Sequence, residues 1–435
     1  MSELWARMAL GAYRMLGSAS YPFMGPFLAL RARRGKEDRA RRYERYGYPS
    51  AERPQGPLVW FHAASVGESM AILPLLEHVN RLGIATIMTT GTVTSAEVVR
   101  ERMPARTYHQ YVPLDMAKAV RRFLDHWQPD LSVFSESEIW PTIILELGRR
   151  RIPQVLVNAR MSDRSFQRWS KAPALAEALF EKMYHVVAQS ELDAERFRKL
   201  GARPVSVSGN LKVDTGELPC DERVLALTLS MIGERPAWIA ASTHPGEEEV
   251  VANVHTRLLE RFPDLLTILV PRHPERGTEI TELLGARGIE TARRSAGETI
   301  SPTTGIYLGD TIGEMGLYLR LAHLVFIGRS LVGSGGQNPL EPAMIGTAII
   351  SGRNVQNFRD SYRNLLANEG ARLVRDEDML VANVEYLLDH PEEVERMAAN
   401  AWRTVEEMRG ALGKTIEVLD SHIFPLTVKQ GLEGI

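Results

Sequence analysis

The sequence predicts an α/β protein of two Rossmann-like βαβ domains facing a cleft, with an N-terminal membrane-associating segment. Three observations predict it. At 435 residues the chain exceeds one typical domain. Short apolar runs alternate with helical segments twice over, the pattern of parallel sheets with right-handed crossovers. Between the two alternations the texture changes across Asp214–Ala237, which holds Gly216, Pro219, Gly233 and Pro236. The expected boundaries are 1–46 for the basic, apolar segment, 47–213 for the first domain and 214–222 for a linker. A second domain over 223–408 and a closing helix over 409–435 complete the chain.

In the first domain, strands are expected at Leu58–His62, Ile84–Thr89, Tyr108–Val112, Leu131–Ser135, Val155–Asn158, Val186–Gln189 and Val205–Gly209. Helices are expected at Met70–Arg81, about 96–103, Met116–His126 and Pro141–Arg150. In the second, Trp238–Ala241 and Leu266–Val270 read as strands, and Glu247–Arg261 and Thr278–Arg287 as helices. Ile306–Leu308, Gly316–Leu321, Leu324–Ile327 and Ala348–Ser351 continue the alternation, and the remainder is helical.

Composition narrows the class. Hydrophobic content of 44% and charge of 24% are those of a globular protein. Cys220 is the only cysteine, which excludes a disulfide framework or thiolate metal cluster and fits a reducing compartment. Residues 1–46 hold ten Arg or Lys against four Asp or Glu, or +6, which leaves −8 for the rest of a chain of net charge −2. A basic end on an acidic body points to surface binding and away from nucleic acid. Sixteen uncharged residues separate Arg14 from Arg31, fewer than the roughly 20 a spanning helix needs, and Pro22 and Pro26 interrupt them. No cleavage site follows, so a signal peptide is not expected. Two readings remain: an interfacial segment with Trp5, Tyr13 and Tyr21 at headgroup level, or an amphipathic helix packed on its own domain.

Five clusters fall at the expected carboxyl ends of strands, where open α/β sheets bind ligands. The first is H-A-A-S-V-G-E, ending at Glu68, which serves as a catalytic carboxylate or as a helix-cap acid. The second is S-E-S-E-I-W-P, Ser135 to Pro141, with Glu136 and Glu138 beside an apolar Ile-Trp. The third is G-N-L-K, in which Lys212 offers a counter-charge for phosphate or carboxylate. The fourth pairs A-S-T-H-P-G-E-E-E, 241–249, with V-P-R-H-P-E-R, 270–276; Arg272 and Arg276 are planar forks suited to phosphate, and His244 and His273 lack metal-ligand spacing. The fifth joins G-D-T-I-G-E-M-G, 309–316, to G-R-S-L-V-G-S-G-G-Q-N-P-L-E-P, 328–342. Its glycines precede a helix start able to cradle phosphate, with Glu341 placed for ribose hydroxyls. It is neither a Walker loop nor G-x-G-x-x-G.

Taken in order, H-A-A-S-V-G-E, S-E-I-W-P, N-A-R-M-S-D-R-S, G-N-L-K-V-D, A-S-T-H-P-G-E-E, P-R-H-P-E-R, G-D-T-I-G-E-M and G-G-Q-N-P-L-E-P resemble the 3-deoxy-D-manno-octulosonic acid (Kdo) transferases of bacterial lipopolysaccharide synthesis. The match runs from about residue 58 to 360, and two successive βα domains fit the GT-B fold of such enzymes. The resemblance implies an inverting transferase without metal or cofactor, moving Kdo from CMP-Kdo to the lipid A precursor at the cytoplasmic face of the inner membrane. By motif it makes Glu68 the general base and gives Glu138 and Lys212 to transition-state stabilisation. It gives Pro271, Arg272, Ile312, Gly313, Glu314, Asn338, Pro339, Leu340 and Glu341 to CMP binding. Gln337 stands where many members have His, and Arg329 where Gly is frequent. The alternatives are another GT-B nucleotide-sugar enzyme, a 2-epimerase or hexosaminyl transferase, and a non-catalytic nucleotide-sugar sensor.

Overall fold

Each half of the chain folds around its own seven-stranded parallel sheet. The computed structural model describes residues 2–433. The N-terminal unit comprises Met1–Thr215 with Arg409–Ile435, and the C-terminal unit Gly216–Met408. Strands of the first sheet are β1 (Leu58–Ala63), β2 (Ala85–Thr90), β3 (Thr107–Tyr111), β4 (Leu131–Ser135), β5 (Gln154–Ala159), β6 (His185–Ala188) and β7 (Val205–Val207). Their order is β3-β2-β1-β4-β5-β6-β7, so the winding reverses between β1 and β4.

These runs are strands because they are buried on both faces, which favours continuous apolar sequence in a parallel sheet. In β1, Leu58 and Trp60 join the core containing Phe123, Trp127 and Phe180. Val59, Phe61 and Ala63 point the opposite way, into the core formed with Ile72, Leu76 and Val79. The helix Ala411–Glu433 contributes Ala411, Leu419 and Ile423 to this second core.

The second sheet contains β8 (Ala237–Thr243), β9 (Leu266–Pro271), β10 (Thr291–Arg293), β11 (Ile306–Leu308), β12 (Leu324–Ile327), β13 (Ala348–Gly352) and β14 (Ala371–Val374). Its order, β10-β11-β9-β8-β12-β13-β14, places the reversal between β8 and β12. The sequence reading missed β10 and β14, the two edge strands, which are short and carry Thr291, Arg293 and Arg372. The short helix Met315–Tyr318 overlaps the start of Gly316–Leu321.

The N-terminal segment folds as α1 (Ser2–Ser20) and α2 (Met24–Arg33), joined by a 3-10 turn with Pro22. One side of α1 packs on its own unit. Ala6 and Leu10 are buried, the Tyr13 hydroxyl donates to Asp115 at 2.9 Å, and Arg14 pairs with Glu146 at 2.7 Å. The other side is apolar and uncovered: Leu4, Met8, Met15 and Leu16 on α1, then Phe23, Phe27 and Leu30, are exposed. The packed face is that of the second sequence-based alternative, a helix packed on its own domain. Tyr21 belongs to the packed side, edge-on to Tyr46 at 5.5 Å. Among the described residues no helix is long and apolar enough to cross a membrane.

Candidate active site

β1 ends in a serine that starts the next helix, α3 (Val66–Arg81). Ser65 accepts a hydrogen bond from the Glu68 amide at 3.3 Å, while its hydroxyl donates to Glu68 Oε1 at 2.8 Å. The Ala64 amide donates to Glu68 Oε2 at 3.0 Å. This reciprocal cap is the physical reason for Ser-x-x-Glu at a helix start. Glu68 is therefore a capping acid, and it is also perturbed. Burial and the neighbouring Glu136, with Glu138 adding less, push its carboxyl above the usual range, against the hydrogen bonds from Ala64 and Ser65.

β4 delivers the other two carboxylates across the point where the winding reverses. Glu136 adopts a left-handed backbone, φ 56°, directly after the strand. Lys212 donates to Glu136 Oε1 at 2.6 Å. The lysine sits on the 3-10 turn Leu211–Val213, which is held from below: Asn210 accepts from the Lys212 amide at 3.1 Å, and buried Asn158 accepts from the Leu211 amide at 3.0 Å. A Cβ added to Gly67 would meet Lys212 Nζ at 3.9 Å, so the ammonium lies beside the first turn of α3. Glu138 takes different partners. Trp140 Nε1 donates to its Oε2 at 2.7 Å, and His62 Nε2 lies 3.4 Å from the same oxygen. Burial alone would raise Glu138, but the His62 and Trp140 contacts outweigh it and hold the carboxyl below its ordinary value.

Glu68, Glu138 and Lys212 thus converge at one end of one sheet, with two residues that carried no assigned role. Glu136 is the lysine's direct partner, and His62 is wholly buried beneath Glu138. The Ser-Glu-Ser-Glu run displayed both carboxylates. Which of them takes the lysine depends on the left-handed turn at Glu136, which no residue type announces.

In the C-terminal unit the expected donor segments follow β8, β9, β11 and β12, four consecutive strands. The Arg272 amide donates to Thr243 O at 3.0 Å and so joins the ends of β8 and β9. His244 and His273 meet edge to face at 5.7 Å. Buried Glu247 gathers the amides of His244 (3.1 Å), Arg329 (2.5 Å), Ser330 (2.9 Å) and Leu331 (3.2 Å), fastening the loop after β12 to the helix Glu247–Leu258.

Two side chains expected near the nucleotide, Arg276 and Glu314, are committed elsewhere. Arg276 pairs with buried Glu248 at 2.9 Å and with Glu279 at 2.7 Å, which makes it a structural strut. Glu314 is gripped by Arg294 through two nitrogens, at 2.6 and 3.1 Å, and by Thr311; the Arg294 hydrogen bond leads the effects holding its carboxyl low. The segment Ile312–Glu314 therefore presents backbone amides, none of which is hydrogen-bonded within the described residues. Arg272 and Arg329 are exposed and have no side-chain partner among the described residues. Asn338 accepts from the Leu340 amide at 3.1 Å and donates to Glu341 Oε1 at 3.0 Å, leaving Glu341 Oε2 open. Pro271 and Pro339 are buried and shape these turns. The helix expected after Asn338 is short, Leu340–Ile345.

Arg329 adopts φ 56°, a left-handed conformation that costs an L-residue about 1–2 kcal/mol. Arg329→Gly is therefore expected to raise the melting temperature by a few degrees. Calorimetry checks this, and a lower melting temperature would contradict it.

A family model described as 3-deoxy-D-manno-octulosonic-acid transferase (kdotransferase) matches residues 40–215. The 3-deoxy-D-manno-octulosonic acid transferase of Haemophilus influenzae is 35% identical over 410 residues, which are 92% of this chain and 95% of that protein. A probable mitochondrial 3-deoxy-D-manno-octulosonic acid transferase of Arabidopsis thaliana is 35% identical over 96% of this chain and 97% of its own. Among solved structures, a glycosyltransferase from Rickettsia africae superposes with TM-score 0.59 at 11% identity, covering 85% of this chain and 99% of its own. A putative UDP-N-acetylglucosamine 2-epimerase from Listeria monocytogenes gives 0.57 at 13% identity, covering 85% and 97%. At such identities these two likenesses show the two-domain α/β fold and nothing of the substrate.

Proposed function

The chain belongs to the 3-deoxy-D-manno-octulosonic acid (Kdo) transferase family, and from that membership and its carboxylate cluster we propose that it moves Kdo from CMP-Kdo to the lipid A precursor lipid IVA in lipopolysaccharide synthesis. The observation that carries the catalytic assignment is Glu68, a half-buried carboxylate raised by burial and by two carboxylate neighbours at the reversal of the first sheet. A base must have proton affinity, and burial beside two carboxylates raises that of Glu68. Glu68 removes the proton from a sugar hydroxyl of the acceptor. The oxygen bonds to the anomeric carbon of Kdo as the bond to the CMP phosphate breaks, inverting that centre. Negative charge gathers on the departing phosphate, and Lys212 is the cation assigned to it.

The C-terminal unit's share is the nucleotide. Arg272 and Arg329, exposed and without a side-chain partner among the described residues, are guanidinium groups suited to phosphate. The open amides of Ile312–Glu314 suit nucleotide oxygens, and the free Glu341 oxygen suits ribose hydroxyls. These cations take the part a divalent ion plays in other nucleotide-sugar transferases. Transfer in excess EDTA is therefore expected to match transfer with Mg²⁺, and loss of activity restored by added metal would contradict metal independence.

The uncovered apolar side of α1 and α2 supports the reading that the protein docks on the membrane surface holding its acceptor, the cytoplasmic face of the inner membrane. Arg33, Arg34, Lys36, Arg39 and Arg42 are exposed beside it with no ion-pair partner among the described residues, whereas Arg31, Arg41 and Arg45 are spent on Glu37 and Glu44. Each large apolar side chain is worth about 1.5–3 kcal/mol on leaving water. Leu16→Glu with Phe23→Glu should lower partition onto anionic vesicles about tenfold or more, with an unchanged melting temperature. Undiminished co-sedimentation would contradict membrane docking by this face.

The experiment that tests the transferase reading is incubation of the protein with CMP-Kdo and lipid IVA, followed by mass spectrometry of the lipid. Kdo-modified lipid supports it; turnover of a UDP-sugar in its place would favour the epimerase-like alternative.

A further inference from the structure

His62 lies at the last-but-one position of β1 and is wholly buried, though it is one of the most polar residues available for a central strand. Its ring is fixed on both sides. Nδ1 is 3.0 Å from the backbone carbonyl oxygen of Thr89 and 2.9 Å from the Thr89 hydroxyl. The carbonyl oxygen only accepts, which suits a hydrogen on Nδ1, whereas the Thr89 hydroxyl can accept from Nδ1 or donate to it. Nε2 faces Glu138 Oε2 at 3.4 Å. A neutral ring with its hydrogen on Nδ1 would present a lone pair to that carboxylate, and two lone pairs repel. A proton on Nε2, facing the carboxylate, removes that repulsion and leaves Glu138 ionised. The Thr89 hydroxyl also accepts from Trp60 Nε1 at 2.9 Å, and the ring stands edge-on to Phe134 at 5.5 Å. The imidazole has no room to turn away.

We propose that His62 is a positioning residue for the transfer reaction: it and Glu138 share one proton, which holds Glu138 ionised and aimed into the carboxylate cluster beside Glu68. This rests on the transferase reading given above. The electrostatic reason lies in the neighbours. The titratable groups around Glu138 are His62 on β1, Glu68 on α3, Glu136 on its own loop and, through Glu136, Lys212. Three carboxylates in one cluster would drive one another to protonate, and a protonated Glu68 is no base. Lys212 offsets Glu136, and the proton shared with His62 offsets Glu138. Glu68 is then the one carboxylate of the three without a cation of its own. Trp140 completes the clamp by donating to the same Glu138 oxygen at 2.7 Å, which fixes its direction.

The test is the pH profile of Kdo transfer for the wild type, His62→Gln, Glu138→Gln and the double variant, with CMP-Kdo binding and melting temperature measured alongside. Glutamine can still donate to Thr89 but brings no proton to Glu138. His62→Gln is expected to lower kcat with little change in donor KM, and to move the acid limb of kcat/KM to higher pH, so that its deficit is largest at low pH and shrinks at high pH. In the Glu138→Gln background the same substitution should produce no further movement of the limb. An unshifted acid limb in folded His62→Gln, or an equal shift with and without Glu138, overturns the proposal. If His62→Gln does not fold, Trp140→Phe decides: loss of that donor should move the limb the same way by a smaller amount, and an unmoved limb overturns the proposal. Absence of Kdo transfer by the wild type would overturn the transferase reading itself, whereas wild-type transfer with an unmoved limb overturns only the role of His62.

Discussion

Glu68→Gln is expected to lose Kdo transfer by about 10²–10⁴-fold while still binding CMP-Kdo. The amide keeps the size of the carboxyl group and can still accept from the Ala64 amide, so the cap on α3 is largely preserved. What disappears is the proton acceptor. Stability should move the other way. Glu68 binds its proton more tightly in the folded protein than in the unfolded chain, because burial and Glu136 raise it. Such a group favours folding at pH below its unfolded value, and that favour is lost as pH rises through the raised folded value. Removing the charge should therefore raise the melting temperature at neutral pH relative to the wild type, and by less in acid. Thermal melts at two pH values read this difference. A variant less stable than the wild type at neutral pH, or one that still turns over at the wild-type rate, would show that Glu68 only caps the helix.

Lys212→Ala should lower kcat by about 10²–10³-fold, the scale on which one preorganised charge contributes to a developing anion. The structure adds a second consequence, because the same ammonium neutralises Glu136 at 2.6 Å. Without it, Glu136 faces Glu68 unopposed, Glu68 is driven further towards its protonated form, and the acid limb of kcat/KM moves to higher pH. Lys212→Arg should retain more of the rate at low pH by keeping the charge. A loss confined to donor affinity, with the pH profile unmoved, would contradict both roles.

The legible part of this fold was its interior. β1, β2, β4 and β5 are buried at every position, so their apolar runs stand out from the helices between them. β10 and β14 were not legible, because edge strands bury less and tolerate Arg293 and Arg372. The site was legible for a different reason. Ligand-facing residues fall where strands end, and Glu68, Glu138, Lys212 and Arg272 all lie just beyond such ends. Their partners were not legible. Arg276 and Glu314 have the right chemistry for a nucleotide and are neutralised by Glu248, Glu279 and Arg294, residues 20 to 28 positions away in sequence or on the next turn. The pairing of Lys212 with Glu136 depends on left-handed φ at a residue whose side chain does not demand it.

The recurrence of that conformation is informative. Glu136, Asn158, Ser242 and Arg329 are non-glycine residues with φ between 50° and 57°, and each lies at or just beyond the carboxyl end of a strand. Strained backbone of this kind collects where side chains must be aimed at a ligand. Here it aims Glu136 at Lys212, and Asn158 at the turn that carries the lysine.

The most direct measurement is mass spectrometry of lipid IVA after incubation with CMP-Kdo and either the wild type or Glu68→Gln, each shown to bind CMP-Kdo. Kdo-bearing lipid from the wild type and almost none from the variant is the expected result. Equal conversion by both would contradict the assignment of Glu68 as the base, and no conversion by either would contradict the transferase activity.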